Sequence, residues 1–148
     1  MIRRRRRMRP HIPVPLIRDG LPPSGDGVVS IVYYHPPAEL SPNSTASHRA
    51  KIDPRRIYKN AIEMTVREVM GYVPHGCPWP KATMEIHWYH ATYDAPDDDN
   101  VIGWLKCARD GATNAGLLKD DQQMKCLGVT FFKDPTCPRV VLIFRRAT

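Results

Sequence analysis

The clearest periodicity in the chain lies in KATMEIHWYHAT, Lys81 to Thr92. Ala82, Met84, Ile86 and Trp88 fall on one side, and Thr83, Glu85, His87 and Tyr89 on the other. A period of two is that of a half-buried β-strand. VVSIVYY, Val28 to Tyr34, is rich in β-branched and aromatic residues and predicts a second strand. MKCLGVTFFK (Met124 to Lys133) and RVVLIF (Arg139 to Phe144) predict two more, and the turn residues DPTCP between them predict an antiparallel hairpin. Helical spacing appears twice. Tyr58, Ile62, Val66 and Val69 recur on one face of a helix for which Asp53 suits the N-cap, Pro54 the first turn and Gly71 the stop. From Asp98 or Asp99 to about Ala115, a second helix carries Val101, Leu105, Ala108, Ala112 and Ala115 on one stripe. Asp99, Gly103, Lys106 and Asp110 lie opposite, and Gly116 ends it.

The predicted order is strand, helix, strand, helix, strand, strand. Its economical solution is an α+β fold, a small mixed β-sheet with two packed helices. The chain of 148 residues suits one domain, with 42% hydrophobic and 25% charged residues as in ordinary globular proteins. No internal repeat is visible. Residues 1–27 read as a basic arm and proline-rich linker ahead of a folded domain over 28–148. Between the first strand and the first helix runs HPPAELSPNSTASHRAK. Its seventeen residues are long for a compact domain, which points to a functional loop. His48, Arg49 and Lys51 at its end are placed to touch phosphates or, equally, to form an exposed basic loop.

Charge changes the picture. Of a formal net charge of +7, six come from Arg3, Arg4, Arg5, Arg6, Arg7 and Arg9, leaving about +1 for the rest. A terminal run of like charges is an arm that binds polyanions or merely solubilises. No apolar stretch approaches the ~20 residues a membrane helix needs, and an arginine run with no apolar core after it is not a secretory signal. Cys77, Cys107, Cys126 and Cys137 contain no C-x-x-C pair, which speaks against structural zinc and for reduced thiols in the cytoplasm. Asn43-Ser44-Thr45 matches a glycosylation acceptor but, without a secretory route, signifies a polar loop.

Against this basic background the acids are crowded. Asp97, Asp98 and Asp99 precede Asn100 at the start of the second helix, and Asp120 and Asp121 follow its end. Acids at a helix N-terminus are favoured by roughly 0.3–1 kcal/mol each, so capping accounts for the first group. It does not account for the second, which sits at the negative end. Hard oxygen ligands select Mg²⁺ or Mn²⁺ over zinc. In an extended entry, Asp97 and Asp99 point the same way, about 7 Å apart along the backbone. Asp121 is the difficulty, since the helix between the clusters is over ~20 Å long. Glu85 is a weak further candidate ligand. His87 and His90, on opposite strand faces, do not form a metal pair.

Asp97-Asp98-Asp99-Asn100, then Lys106, Gly116 and Asp120-Asp121-Gln122-Gln123, resemble the RusA-type Holliday-junction resolvases, small phage and bacterial endonucleases. The resemblance covers roughly residues 28–146. It implies a RusA-like, homodimeric α+β protein in a bacterial or phage-infected cell, using Mg²⁺ or Mn²⁺ to cut four-way DNA junctions. By position, Asp97, Asp99 and Asp121 would be the essential metal-holding carboxylates, Asp120 and Asn100 their support, and Lys106 the catalytic or DNA-contacting lysine. The commoner family spacing puts the lysine where this chain has Gly103, one helical turn from Lys106 on the same face.

The expected chemistry is phosphodiester hydrolysis, with a two-fold dimer presenting two sites to a junction of similar symmetry. Arg3 to Arg7, Arg49, Lys51, Arg139, Arg145 and Arg146 are the expected phosphate contacts, making affinity steeply salt-dependent. Two alternatives remain: a nuclease for other branched DNA, and a non-catalytic basic DNA-binding protein of phage or plasmid origin.

Overall fold

The computed structural model describes residues 24–72, 76–91 and 96–147, apart from the side chains of Tyr72 and Asp121. Its elements are β1 (Val28–Tyr33), α1 (His48–Tyr72), β2 (Ala82–His90), α2 (Asp98–Trp104), α3 (Lys106–Asn114), β3 (Met124–Lys133) and β4 (Arg139–Arg146). Short 3₁₀ turns lie at Ala38–Leu40 and Asp121–Gln123. The fold is mixed α+β: among the described residues, one four-stranded mixed sheet and three helices.

The core forms where the periodicity placed it. Ala82, Met84, Ile86 and Trp88 are buried in a strict alternation along β2. Tyr58, Ile62 and Val66 of α1 and Val101, Leu105, Ala108 and Ala112 of α2 and α3 pack on that face, together with Val29, Ile31, Val140, Leu142 and Phe144. All three helices therefore cover the same side of the sheet.

Three expectations are corrected. The last two strands are not a hairpin. The sheet order is β1-β4-β2-β3, with β3 parallel to β2 and β4 antiparallel to both β1 and β2. The reason lies in composition. Arg139 to Phe144 are all buried, on both faces, which is possible only for a central strand. β3 interleaves buried or half-buried residues with exposed Lys125, Leu127 and Thr130 and suits an edge.

Second, α1 starts earlier than Asp53. The Ser47 hydroxyl accepts the Ala50 N–H at 3.2 Å, which makes Ser47 the N-cap. Pro54 then sits inside the helix, where its missing N–H leaves the Ala50 carbonyl without its ladder donor. Asp53 pairs instead with Arg56 on the surface.

Third, the single helix expected after Asp98 is divided at Leu105, whose φ and ψ of −90° and 9° tighten one turn. Leu105 is drawn fully into the core, and the apolar stripe runs across the break without losing register. Gly116, at φ +94°, ends α3: the Leu117 N–H reaches the Ala112 carbonyl (3.3 Å) and the Gly116 N–H reaches that of Thr113 (3.0 Å). This left-handed terminus suits glycine and turns Leu117 into the core. The Trp79 N–H then donates to the Leu117 carbonyl at 2.8 Å, which fixes the chain beside the start of β2 before it enters β3.

Candidate active site

Asp97 is the N-cap residue of α2. It is extended (φ −67°, ψ 145°), and its carbonyl accepts the Val101 N–H at 3.1 Å. Its carboxylate makes no capping hydrogen bond. Asp98 and Asp99 occupy the first turn, exposed, and Asn100 is half-buried behind them. The capping account of these acids thus lacks the hydrogen bond it requires, although the helix dipole still favours negative charge here.

Asp120 behaves differently. One of its carboxylate oxygens accepts the Gln122 N–H at 3.0 Å and its carbonyl accepts the Gln123 N–H at 3.1 Å. It shapes the turn that leads into β3. Arg109 of α3 holds the same junction by donating to the Met124 carbonyl at 3.1 Å. α2 packs on β3, so the helix following Asp97 neighbours the strand that follows Asp121. The side chain of Asp121 is outside the described residues, and so is any triad containing it. Among the described residues, no three His, Cys, Asp or Glu side chains form a group that could hold a metal ion.

Lys106 opens α3 beside a cleft of about 280 Å³. Gly103, Lys106 and Asp110, predicted to share a face, line one wall despite the break at Leu105. Arg55 of α1 and Leu40 of the first 3₁₀ turn line the other. The Cys107 thiol lies between them, and burial pushes its pKa up to about 11, which makes it an inert neighbour.

α1 and α3 run side by side in the same direction. Arg55 lies by Cys107, Lys59 to Glu63 lie against Gly111, and Arg67 reaches the Asn114 carbonyl at 3.4 Å. Arg55 was not among the residues expected to act. Its sequence signal was available in Lys51, Arg55 and Lys59, four residues apart on one helical stripe.

The expected phosphate contacts divide. Arg49 and Lys51 lie in the first turn of α1, exposed and half-buried respectively. Arg145 donates to Glu85 at 2.8 Å, and the other Glu85 oxygen meets His87 Nε2 at 2.9 Å. The His87 bond, with help from Arg145, holds the Glu85 carboxyl below its ordinary pKa. Glu85 is thereby engaged in a surface network with Arg145 and His87. Arg146 approaches Asp26 at 3.6 Å.

Arg139 is a correction. Its side chain is 3% exposed, donates to Asp134 at 2.7 Å and to the Cys137 carbonyl at 3.0 Å, and lies 3.7 Å over the Tyr89 ring. A guanidinium so enclosed braces the β3–β4 connection and has no face left for DNA. The arm containing Arg3, Arg4, Arg5, Arg6 and Arg7 lies outside the described residues. All four cysteines are free thiols. Among the described residues no helix is long and apolar enough to cross a membrane.

An aromatic cluster also escaped the sequence reading. His35 stacks on Trp88 with centroids 3.9 Å apart, and Trp88 lies 5.2 Å from Trp104 at the end of α2. Trp104 donates to the Pro37 carbonyl at 2.9 Å. The long loop after β1 is thereby tied to the helix that follows the acid cluster. No protein-family model matches the chain, and no curated protein matches it.

Proposed function

We propose that this chain is a divalent-metal-dependent, structure-selective endodeoxyribonuclease that cuts four-way DNA junctions as a homodimer, as its resemblance to RusA-type resolvases implies. One observation carries the choice between a nuclease and a protein whose acids are helix caps: Asp97 occupies the N-cap without capping. Three adjacent carboxylates stand at a helix start that favours them only through its dipole, and a bound cation would offset their mutual repulsion.

The donor chemistry fits a hard divalent ion. Asp97 and Asp99 would hold it with Asp121, and Asp120 would support the turn that carries Asp121. Such an ion supplies charge neutralisation on the phosphate and a water acidic enough to attack it. The rest falls to the chain. Asn100, half-buried behind the acids, can orient a carboxylate. Lys106, on the wall of the neighbouring cleft, can steady a phosphate oxygen with its ammonium. Arg49 and Lys51 add positive potential that attracts the DNA backbone toward an otherwise repulsive acidic site.

The test is Asp99→Asn on a synthetic four-way junction in Mg²⁺, with incisions read on denaturing gels. Cleavage should fall at least about 100-fold, the scale on which removal of one electrostatic group acts, while junction binding persists. Undiminished nicking by the variant removes the nuclease reading. Equal cutting of linear, three-way and four-way DNA removes the junction assignment alone.

A further inference from the structure

Most arginines of the described surface are already matched: Arg56 with Asp53, Arg67 with Glu63, Arg145 with Glu85 and Arg146 with Asp26. Arg55 and Lys106 form no ion pair among the described residues, yet they line the same cleft from different helices. Asp110 also lines it, so the cleft holds two cations against one carboxylate. Its volume, about 280 Å³, lies at or below the small end of ligand pockets, which run from about 300 Å³. That suits one compact anionic group.

The walls are fixed. Gly111 lets α3 approach α1 so closely that an added Cβ would stand 2.5 Å from the Lys59 carbonyl oxygen. At the mouth, a Cβ on Gly103 would come within 3.2 Å of Pro42. Two cations thus line one cleft from two closely packed helices, with Cys107 and Trp104 beside them. Two cations beside one carboxylate favour a tetrahedral anion through charge-assisted hydrogen bonds.

We propose that this cleft is a backbone-phosphate subsite for DNA and that Arg55 is a positioning residue acting across it from Lys106. The inference rests on the nuclease reading only for the identity of the anion as DNA. Lys51 and Lys59, one turn to either side of Arg55 on α1, extend the positive stripe along which a strand would lie. The residue therefore governs where the backbone sits relative to Asp97 and Asp99, and its contribution belongs to KM and to binding.

The experiment is junction binding by the full chain in EDTA, followed by anisotropy from about 50 to 200 mM salt. Arg55→Gln should weaken binding about tenfold at the low-salt end, as loss of one charged hydrogen bond does. It should also lower the slope of log affinity against log salt by about 0.9. Arg55→Lys should recover the slope, because it keeps the charge. Arg56→Gln, which removes a charge already matched by Asp53, should change both much less. In metal, Arg55→Gln should raise KM and spare kcat. Thermal melting should not move, since Arg55 is exposed and forms no ion pair among the described residues.

If Arg55→Gln and Arg56→Gln behave alike, the subsite is overturned. Inorganic phosphate at matched ionic strength forms a second arm. Phosphate binding that is lost in Arg55→Gln while junction affinity holds would assign the cleft to a free anion and overturn the DNA assignment. The outcomes separate the two proposals. Loss of the Arg55 effect with cleavage still dependent on Asp99 removes only the subsite. A retained Arg55 effect with cleavage independent of Asp99 supports the subsite and removes the nuclease.

Discussion

Gly111→Ala should destabilise the protein, although alanine is the better helix former. Gly111 lies inside α3, fully packed against α1. In helix propensity alone the substitution gains about 1 kcal/mol. The added Cβ, however, would meet the Lys59 carbonyl oxygen at 2.5 Å, Ile62 Cβ at 3.2 Å and the Glu63 nitrogen at 3.3 Å. The nearest obstacle is backbone, so no rotamer change relieves it. Ordinary contact begins at 3.4 Å, and 3.4 − 2.5 gives about 0.9 Å of separation that α1 and α3 must accept. A gap of 0.5–1 Å forfeits a quarter to a half of each dispersion contact across it. The core side chains at the α1–α3 seam, Ile62 first among them, would lose that share. Overpacking of this kind costs roughly 1–3 kcal/mol, here near the top of the range, for a net loss of about 2 kcal/mol. For a chain of this size that lowers Tm by about 4–8 °C. The control is Gly71→Ala near the end of α1, where an added Cβ meets nothing within 4 Å and stability should hold or rise slightly. Circular-dichroism melts and urea titrations of both variants measure the difference. A Gly111→Ala protein as stable as Gly71→Ala would refute the close-packing argument. The same shift would widen the cleft between Arg55 and Lys106, so reduced DNA affinity should accompany the lower Tm.

Asp134→Asn leaves the buried Arg139 guanidinium with the Cys137 carbonyl and the Tyr89 ring but without its counter-charge, so it should cost about 1–2 kcal/mol at neutral pH, measured by urea unfolding. The hydrogen bond from Arg139 holds the Asp134 carboxyl below its ordinary pKa. Its contribution is therefore present above the unfolded carboxylate range and is lost as pH falls through the lower folded value; the variant should show a shallower acid limb, and an unchanged limb would refute this. His35 gives a second pH effect. Burial against Trp88 lowers its pKa, opposed in part by its hydrogen bond to the Arg139 carbonyl, while nearby His90 lowers it further. A histidine kept neutral by folding stabilises fully above its unfolded pKa of about 6.5 and progressively less as pH drops below that value. The urea midpoint should therefore fall between pH 7.5 and 5.5 by more in the wild type than in His35→Phe, and equal falls would rule out His35 as the cause.

What the sequence determined by itself was local. The β2 alternation, the apolar stripes of α1 and of α2 with α3, and the glycine stop at residue 116 each follow from a side-chain period or a backbone preference that acts within a few residues. The grouping of Asp97, Asp98 and Asp99 at a helix start was legible for the same reason, since it needed only the start of an apolar stripe. Tertiary structure decided the rest. DPTCP looks like a hairpin turn, but strand neighbours are chosen by which strand needs burial on both faces, and β4 needed it more than β3. Arg139 looks like any surface arginine in sequence; only the approach of Tyr89 and Asp134 makes it a buried brace. Arg55 belongs to a cleft because α1 and α3 meet at Gly111, and Asp53 lost its capping role because Ser47 offered an earlier start. Periodicity reports which face of an element is apolar, whereas the partner of that face is set by close packing between segments far apart in the chain.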